Sequence, residues 1–168
     1  MLKKLAHFLL VIPLGCLDYQ EAYVAQSNTA NYYPYIDKNF VLPEPSANEQ
    51  VFLGANCKKH FTVPPVKDFN QDDRLYFLWF FDGAPLGGPR AIEPENRSNA
   101  IVDLVLDKMF LESHGQSLDE AWYNRRHLLQ FFVADRPYQI PGRHYFFPES
   151  GALEDSVYWV LSFTNSAC

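Results

Sequence analysis

The stretch DDRLYFLWFFDG at residues 72–83 constrains this chain more than any other. Aromatic and branched residues fill its interior, carboxylates precede it and Asp82-Gly83 closes it, which is how a strand buried on both faces reads. Strand side chains alternate with period two, so Leu75, Phe77, Trp79 and Phe81 point one way and Tyr76, Leu78 and Phe80 the other. Neither set is polar enough for open solvent, and one face is expected to meet a second sheet.

The rest of the chain supplies partners for that strand. Residues 57–66 read as a strand with Cys57, Phe61 and Val63 on one face, and Pro64-Pro65 ends its ladder because proline has no amide hydrogen to donate. Residues 101–106 place Val102, Leu104 and Leu106 inward. Residues 127–135 form a second strongly apolar strand, and 157–163 put Val157, Trp159, Leu161 and Phe163 on one side. Residues 36–42 read as an edge strand flanked by prolines. Ser117-x-x-Glu120 has capping-box spacing, which predicts a short helix over 121–126. The whole predicts a mostly-β chain, an antiparallel sandwich with one short helix. The segment 83–99, with its prolines and glycines, is long enough to read as a functional or disordered loop.

At the N-terminus, Lys3 and Lys4 precede an apolar run over 5–14 that ends at Gly15-Cys16, the pattern of an export signal. A membrane-spanning helix needs roughly 20 apolar residues, and this run is shorter. Leu14-Gly15-Cys16 resembles the lipobox of bacterial lipoproteins, although Pro13 stands where that pattern has leucine. The resemblance implies a signal peptide over 1–15, lipidation of Cys16 and attachment to a lipid bilayer through acyl chains. Leu17 is not the aspartate that retains many such proteins in the inner membrane, so the bacterial outer membrane is the expected location. A plain secretory signal with an incidental cysteine is the alternative. Residues 16–50, polar at 26–31 and proline-bearing after that, read as an extended tether, with the folded domain over 51–168.

The formal charge is −6, and without Lys3 and Lys4 12 basic residues face 20 acidic ones, a charge of −8. Such a surface is a poor partner for nucleic acid or anionic headgroups. With Cys16 lipidated, Cys57 and Cys168 remain as a candidate disulfide suited to an oxidising envelope, the alternative being two free thiols. Asp68, Asn70 and Asp72 begin like a calcium loop, but Asp73 replaces the required glycine and Trp79 the closing glutamate, so a turn bonded to its own backbone competes with a metal site. No histidine spacing, nucleophile elbow or phosphate loop stands out, so no catalytic residue and no cofactor is assigned. Asn96-Arg97-Ser98 fits a glycosylation sequon and reads simply as loop.

The strands DDRLYFLWFFDG and HLLQFFVADRP resemble a pair of central strands in extracellular immunoglobulin-like sandwiches of the PKD and cadherin-like type. The chain is also similar to lipoproteins of predatory and social proteobacteria. The resemblance spans roughly residues 50–165, although Cys57 and Cys168 do not flank Trp79 as an immunoglobulin disulfide would. It implies a non-enzymatic envelope protein that binds another protein or supports a surface assembly. Two alternatives remain open: a carbohydrate- or peptidoglycan-binding module using Tyr32, Tyr33, Tyr35, Tyr138 and Tyr145, and a hydrolase with its site in 83–99. Oligomeric state has no signature in the sequence.

Overall fold

The computed structural model describes residues 31–45, 48–70, 72–139, 147–148 and 152–168. Cys16, the expected export signal, Tyr145 and the first part of the expected tether lie outside these residues. The chain is mostly β, in strands β1 (Asn48–Phe52), β2 (Lys59–Val63), β3 (Leu75–Phe81), β4 (Ala84–Pro85), β5 (Arg90–Ile92), β6 (Val102–Leu106), β7 (Arg126–Ala134), β8 (Tyr138–Gln139), β9 (Phe147–Pro148) and β10 (Glu154–Thr164). Helices α1 (Lys108–Ser113) and α2 (Glu120–Tyr123) sit between β6 and β7.

Among the described residues the larger sheet runs β1-β10-β7-β3-β4, with β5 also on β3, while β2 pairs with β6 and β8 with β9. Taking β2, β3, β4, β6, β7 and β10 as strands B, C, C′, E, F and G gives the two-sheet order of the immunoglobulin sandwich. One described pair departs from the antiparallel expectation: β1 runs parallel to β10, Asn48 opposite Val160 and Phe52 opposite Thr164.

Alternation along the long strands builds the core. Leu75, Phe77, Trp79 and Phe81 of β3 are buried together with Leu129, Phe131 and Val133 of β7 and Val157, Trp159, Leu161 and Phe163 of β10. Register sets Trp79 opposite Phe131, and the ring centroids lie 4.9 Å apart. Trp159 stacks on Trp79 at 5.7 Å and meets Phe61 of the facing sheet edge-on at 5.2 Å, closing the sandwich. The other face of β3 is less deeply covered: Leu78 packs with Ala134 and Tyr138, and Tyr76, Phe80 and Phe132 are partly buried around them.

The Asp-Gly pair that closes β3 does more than turn the chain. Asp82 and Gly83 both have positive φ (48° and 77°), as a two-residue hairpin of the primed kind requires. The Asp82 carboxylate accepts the Leu128 amide at 2.9 Å and lies 2.7 Å from His127 Nδ1. His127 is buried, its Nε2 3.0 Å from the Trp122 carbonyl oxygen and its ring 4.1 Å from the Trp122 ring. One carboxylate thereby pins β7 and α2 to the end of β3.

Several expectations are corrected. Residues 36–42 do not form an edge strand: Asp37 caps a 3₁₀ turn at Lys38–Phe40, and only the bridges Tyr35–Lys67 and Leu42–Thr62 remain. Ile36 and Val41 are in the core, so the compact unit runs Asn31–Cys168 and the chain joins the fold well before residue 51. The strand expected over 57–66 shortens to β2. The α2 cap is Asp119, accepting from the Trp122 amide at 2.8 Å, rather than Ser117. The second helix, α1, is capped in the same way by Asp107 through the Phe110 amide at 2.8 Å. The segment 83–99 is no open loop, since it carries β4, β5 and a 3₁₀ helix at Pro94–Asn99. Among the described residues no helix is long and apolar enough to cross a membrane.

Candidate functional site

Proline stops β2 at Pro64-Pro65, and the chain then turns through residues 68–73. Asp68 Oδ1 accepts the Asn70 amide at 2.9 Å, the local bond that makes aspartate a turn former. The Asn70 side-chain amide donates to Asp73 Oδ2 at 3.0 Å and to Asn31. Asp68 and Asn70, two of the residues that resembled calcium ligands, are therefore committed within the turn, while Asp72 is exposed. Among the described residues no group of three or more His, Cys, Asp or Glu side chains gathers in a way that could hold a metal ion.

The positive charge that this turn wraps is a side chain. Arg97, at 7% exposure, comes from the 3₁₀ helix Pro94–Asn99. Its Nη1 donates to the Asn70 carbonyl at 2.9 Å and the Asp68 carbonyl at 3.4 Å, and its Nη2 donates to the Asp73 carbonyl. A guanidinium has five donors in a fixed fork, which suits it to collect carbonyls from one turn. The Asp68 carboxylate is fully buried 3.9 Å from Nη1. Burial pushes the Asp68 carboxyl above the usual carboxylate range, with the Asn70 amide and the Arg97 charge pulling the other way. Asp68 Oδ2 and Arg97 Nε have no hydrogen-bond partner among the described residues.

Over this clamp lies an open groove of about 990 Å³. Phe40, Pro64, Pro65, Phe69 and Pro94 give it an apolar lining, and Asp37, Lys67, Asp72 and Glu95 stand around it. Phe40 is 67% exposed and Phe69 76% exposed, unusual for rings so close to a folded core. The Tyr32 ring leans on Phe69 at 5.5 Å and 59°, and Lys67 Nζ sits 5.9 Å over the Tyr35 ring while pairing with Asp37 at 3.3 Å. Tyr32 and Tyr35 therefore adjoin the groove, and Tyr33 is partly exposed on the same segment. Tyr138, expected among the rings of a carbohydrate-binding module, is instead buried against Leu78 and Ala134, and burial pushes its hydroxyl well up.

Cys57 and Cys168 are bonded elsewhere, with Cα atoms 5.7 Å apart. The bridge fixes the last residue to the segment after β1, where Gly54 donates to the Ser166 carbonyl at 3.0 Å and a Cβ at Gly54 would run into that same carbonyl. The described histidines other than His127 sit apart, His60 3.0 Å from Asp103 and His114 stacked on Phe110 at 4.1 Å. Glu93 pairs with Arg74 at 2.9 Å, and burial pushes the Glu154 carboxyl up.

Phe40, Phe69, Lys67 and Arg97 were not singled out by the sequence. Pro94 at the start of a short helical segment was the available signal for the element that carries Arg97. Nothing in the sequence announces a buried arginine, because the residue is mostly exposed in proteins. Compared with protein-family models, with curated proteins and with solved structures, the chain matches none.

Proposed function

We propose that this protein is a non-enzymatic lipoprotein of the bacterial cell envelope, anchored in the outer membrane through Cys16, whose sandwich binds another protein at the groove between Phe40, Phe69 and Pro94. The observation that carries the binding reading is the pair of largely exposed rings beside a proline-walled groove. Contiguous exposed apolar surface with a polar rim marks interaction sites, and aromatic residues are enriched there. The anchoring reading rests on the lipobox-like Leu14-Gly15-Cys16.

A carbohydrate-binding module using Tyr32 and Tyr35 draws less support. Sugar stacking needs a flat open aromatic face, whereas Tyr32 is tilted against Phe69 and Lys67 stands over Tyr35. Retention on peptidoglycan or polysaccharide in a pulldown would revive it.

Intact mass of protein purified from its native membrane tests the anchor, with residues 16–168 plus acyl chains expected. A photo-cross-linking residue placed at Phe69 in the full chain, in cells, tests the binding. One discrete protein adduct is expected at Phe69 and none at Met109, which is equally exposed at 78% on α1. Adducts at both positions, or at neither, contradict the reading.

A further inference from the structure

We infer that the occupant of the groove is an extended segment of a partner protein that carries lysine or arginine beside apolar side chains. The inference rests on the protein-binding reading above and adds the chemistry of the partner.

The charges at the groove are unevenly committed. Its two cations are both engaged: Lys67 pairs with Asp37 at 3.3 Å, and Arg97 lies buried beneath three backbone carbonyls. Asp72 and Glu95 also line the groove, are exposed, and have no ion-pair partner among the described residues. The groove therefore presents uncompensated carboxylates on a chain that is already net negative. An anionic partner would meet repulsion and find no free cation, while a cationic one would find complementary charge. The exposed faces of Phe40 and Phe69 add a second reason, since aromatic faces attract ammonium and guanidinium groups as well as apolar side chains.

The walls indicate how such a segment is held. Pro64, Pro65 and Pro94 have no amide hydrogen, so at these positions the groove cannot extend a strand ladder into the partner. Recognition falls to side chains, cations toward Asp72 and Glu95 and apolar groups between the rings. This separates the site from the open outer edge of a sheet, where backbone pairing would dominate and sequence would matter less.

The test is fluorescence anisotropy of labelled peptides with the purified full chain. One peptide alternates lysine and leucine, a second replaces each lysine by glutamate, and a third replaces each leucine by serine. Saturable binding of the first is expected, with none of the second and a loss of roughly tenfold or more for the third. Binding should weaken as salt is raised to about 0.5 M. The double variant Asp72→Lys/Glu95→Lys and the single variant Phe69→Ser should each lose roughly tenfold in affinity with an unchanged circular dichroism spectrum. Equal binding of the glutamate peptide, or full affinity in the Asp72→Lys/Glu95→Lys variant, overturns the inference. No peptide binding together with a protein adduct at Phe69 overturns the charge assignment alone. No binding and no adduct overturns both readings.

Discussion

The sandwich interior and the groove end of this molecule use the same residue types to opposite ends. Trp79, Phe131 and Trp159 stack between the sheets and are nearly or wholly buried, whereas Phe40 and Phe69 stand largely in solvent. The interior rings come from long alternating strands, where period two sends every second side chain into a shared layer. The exposed rings come from a 3₁₀ turn and a short polar turn, where no facing layer exists to cover them. The two regions are also closed differently. The sandwich carries a disulfide between Cys57 and Cys168, and the groove floor carries a buried guanidinium holding carbonyls of one turn. Aromatic content alone therefore says little about stability, and what decides it is the element that presents the ring.

The largest expected effect breaks the covalent closure. The bridge spans a sequence separation of 111, and in the chain-entropy model a loop of that size is worth about 4 to 5 kcal/mol. Cys57→Ser with Cys168→Ser should lower the urea unfolding free energy by that order while leaving the groove residues in place. Next comes the interior layer. Phe131→Ala should cost about 3 to 5 kcal/mol, because Trp79 and Phe77 both pack on that ring and the strands hold the cavity open. The groove floor should behave like interior in spite of its polarity. Arg97→Met should cost about 3 kcal/mol, since it strands three carbonyls and the buried Asp68 carboxyl, and thermal unfolding would register it.

A smaller effect has a pH signature. The folded Asp68 carboxyl titrates above its ordinary value because it is buried, so the fold favours its protonated form. That contribution is complete below the unfolded value, about 3.9, and is lost as pH rises through the raised folded value. The stability of the natural chain relative to Asp68→Asn should therefore improve as pH falls from neutrality into that window, as read from urea midpoints at stepped pH. A gap that stays flat would mean that the carboxyl is not held as its burial requires.

How much of this was legible in the sequence follows the same division. Alternation in DDRLYFLWFFDG and in residues 157–163 was enough to identify β3, most of β10 and the inward face of each, because a strand's faces are set by period two alone. The pairing of Cys57 with Cys168 followed from elimination once Cys16 was set aside. The parallel pairing of β1 was not legible, since the polar run Asn48-Glu49-Gln50 carries no alternation that would mark it as a strand. The groove was the least legible part. Tyr32 and Tyr35 lie beside the groove, but Phe40 and Phe69, which flank it, are single rings in polar surroundings. What joins them is a turn that depends on Arg97, 24 residues beyond the last carbonyl it holds. Asp68-x-Asn70-x-Asp72 begins like a calcium loop and lacks its glycine and closing glutamate, and the structure shows the competing turn, with Arg97 held by the carbonyls of Asp68, Asn70 and Asp73.

The claim that the exposed rings are kept for a partner, and are not a loose margin of the core, is tested most directly by the urea midpoint of the double variant Phe40→Ser/Phe69→Ser. Surface substitutions away from structural features usually change stability by no more than about 0.5 kcal/mol, and an unchanged midpoint within that limit is expected. A loss of about 3 kcal/mol or more, the scale of an interior aromatic, would make these rings part of the core and contradict the account.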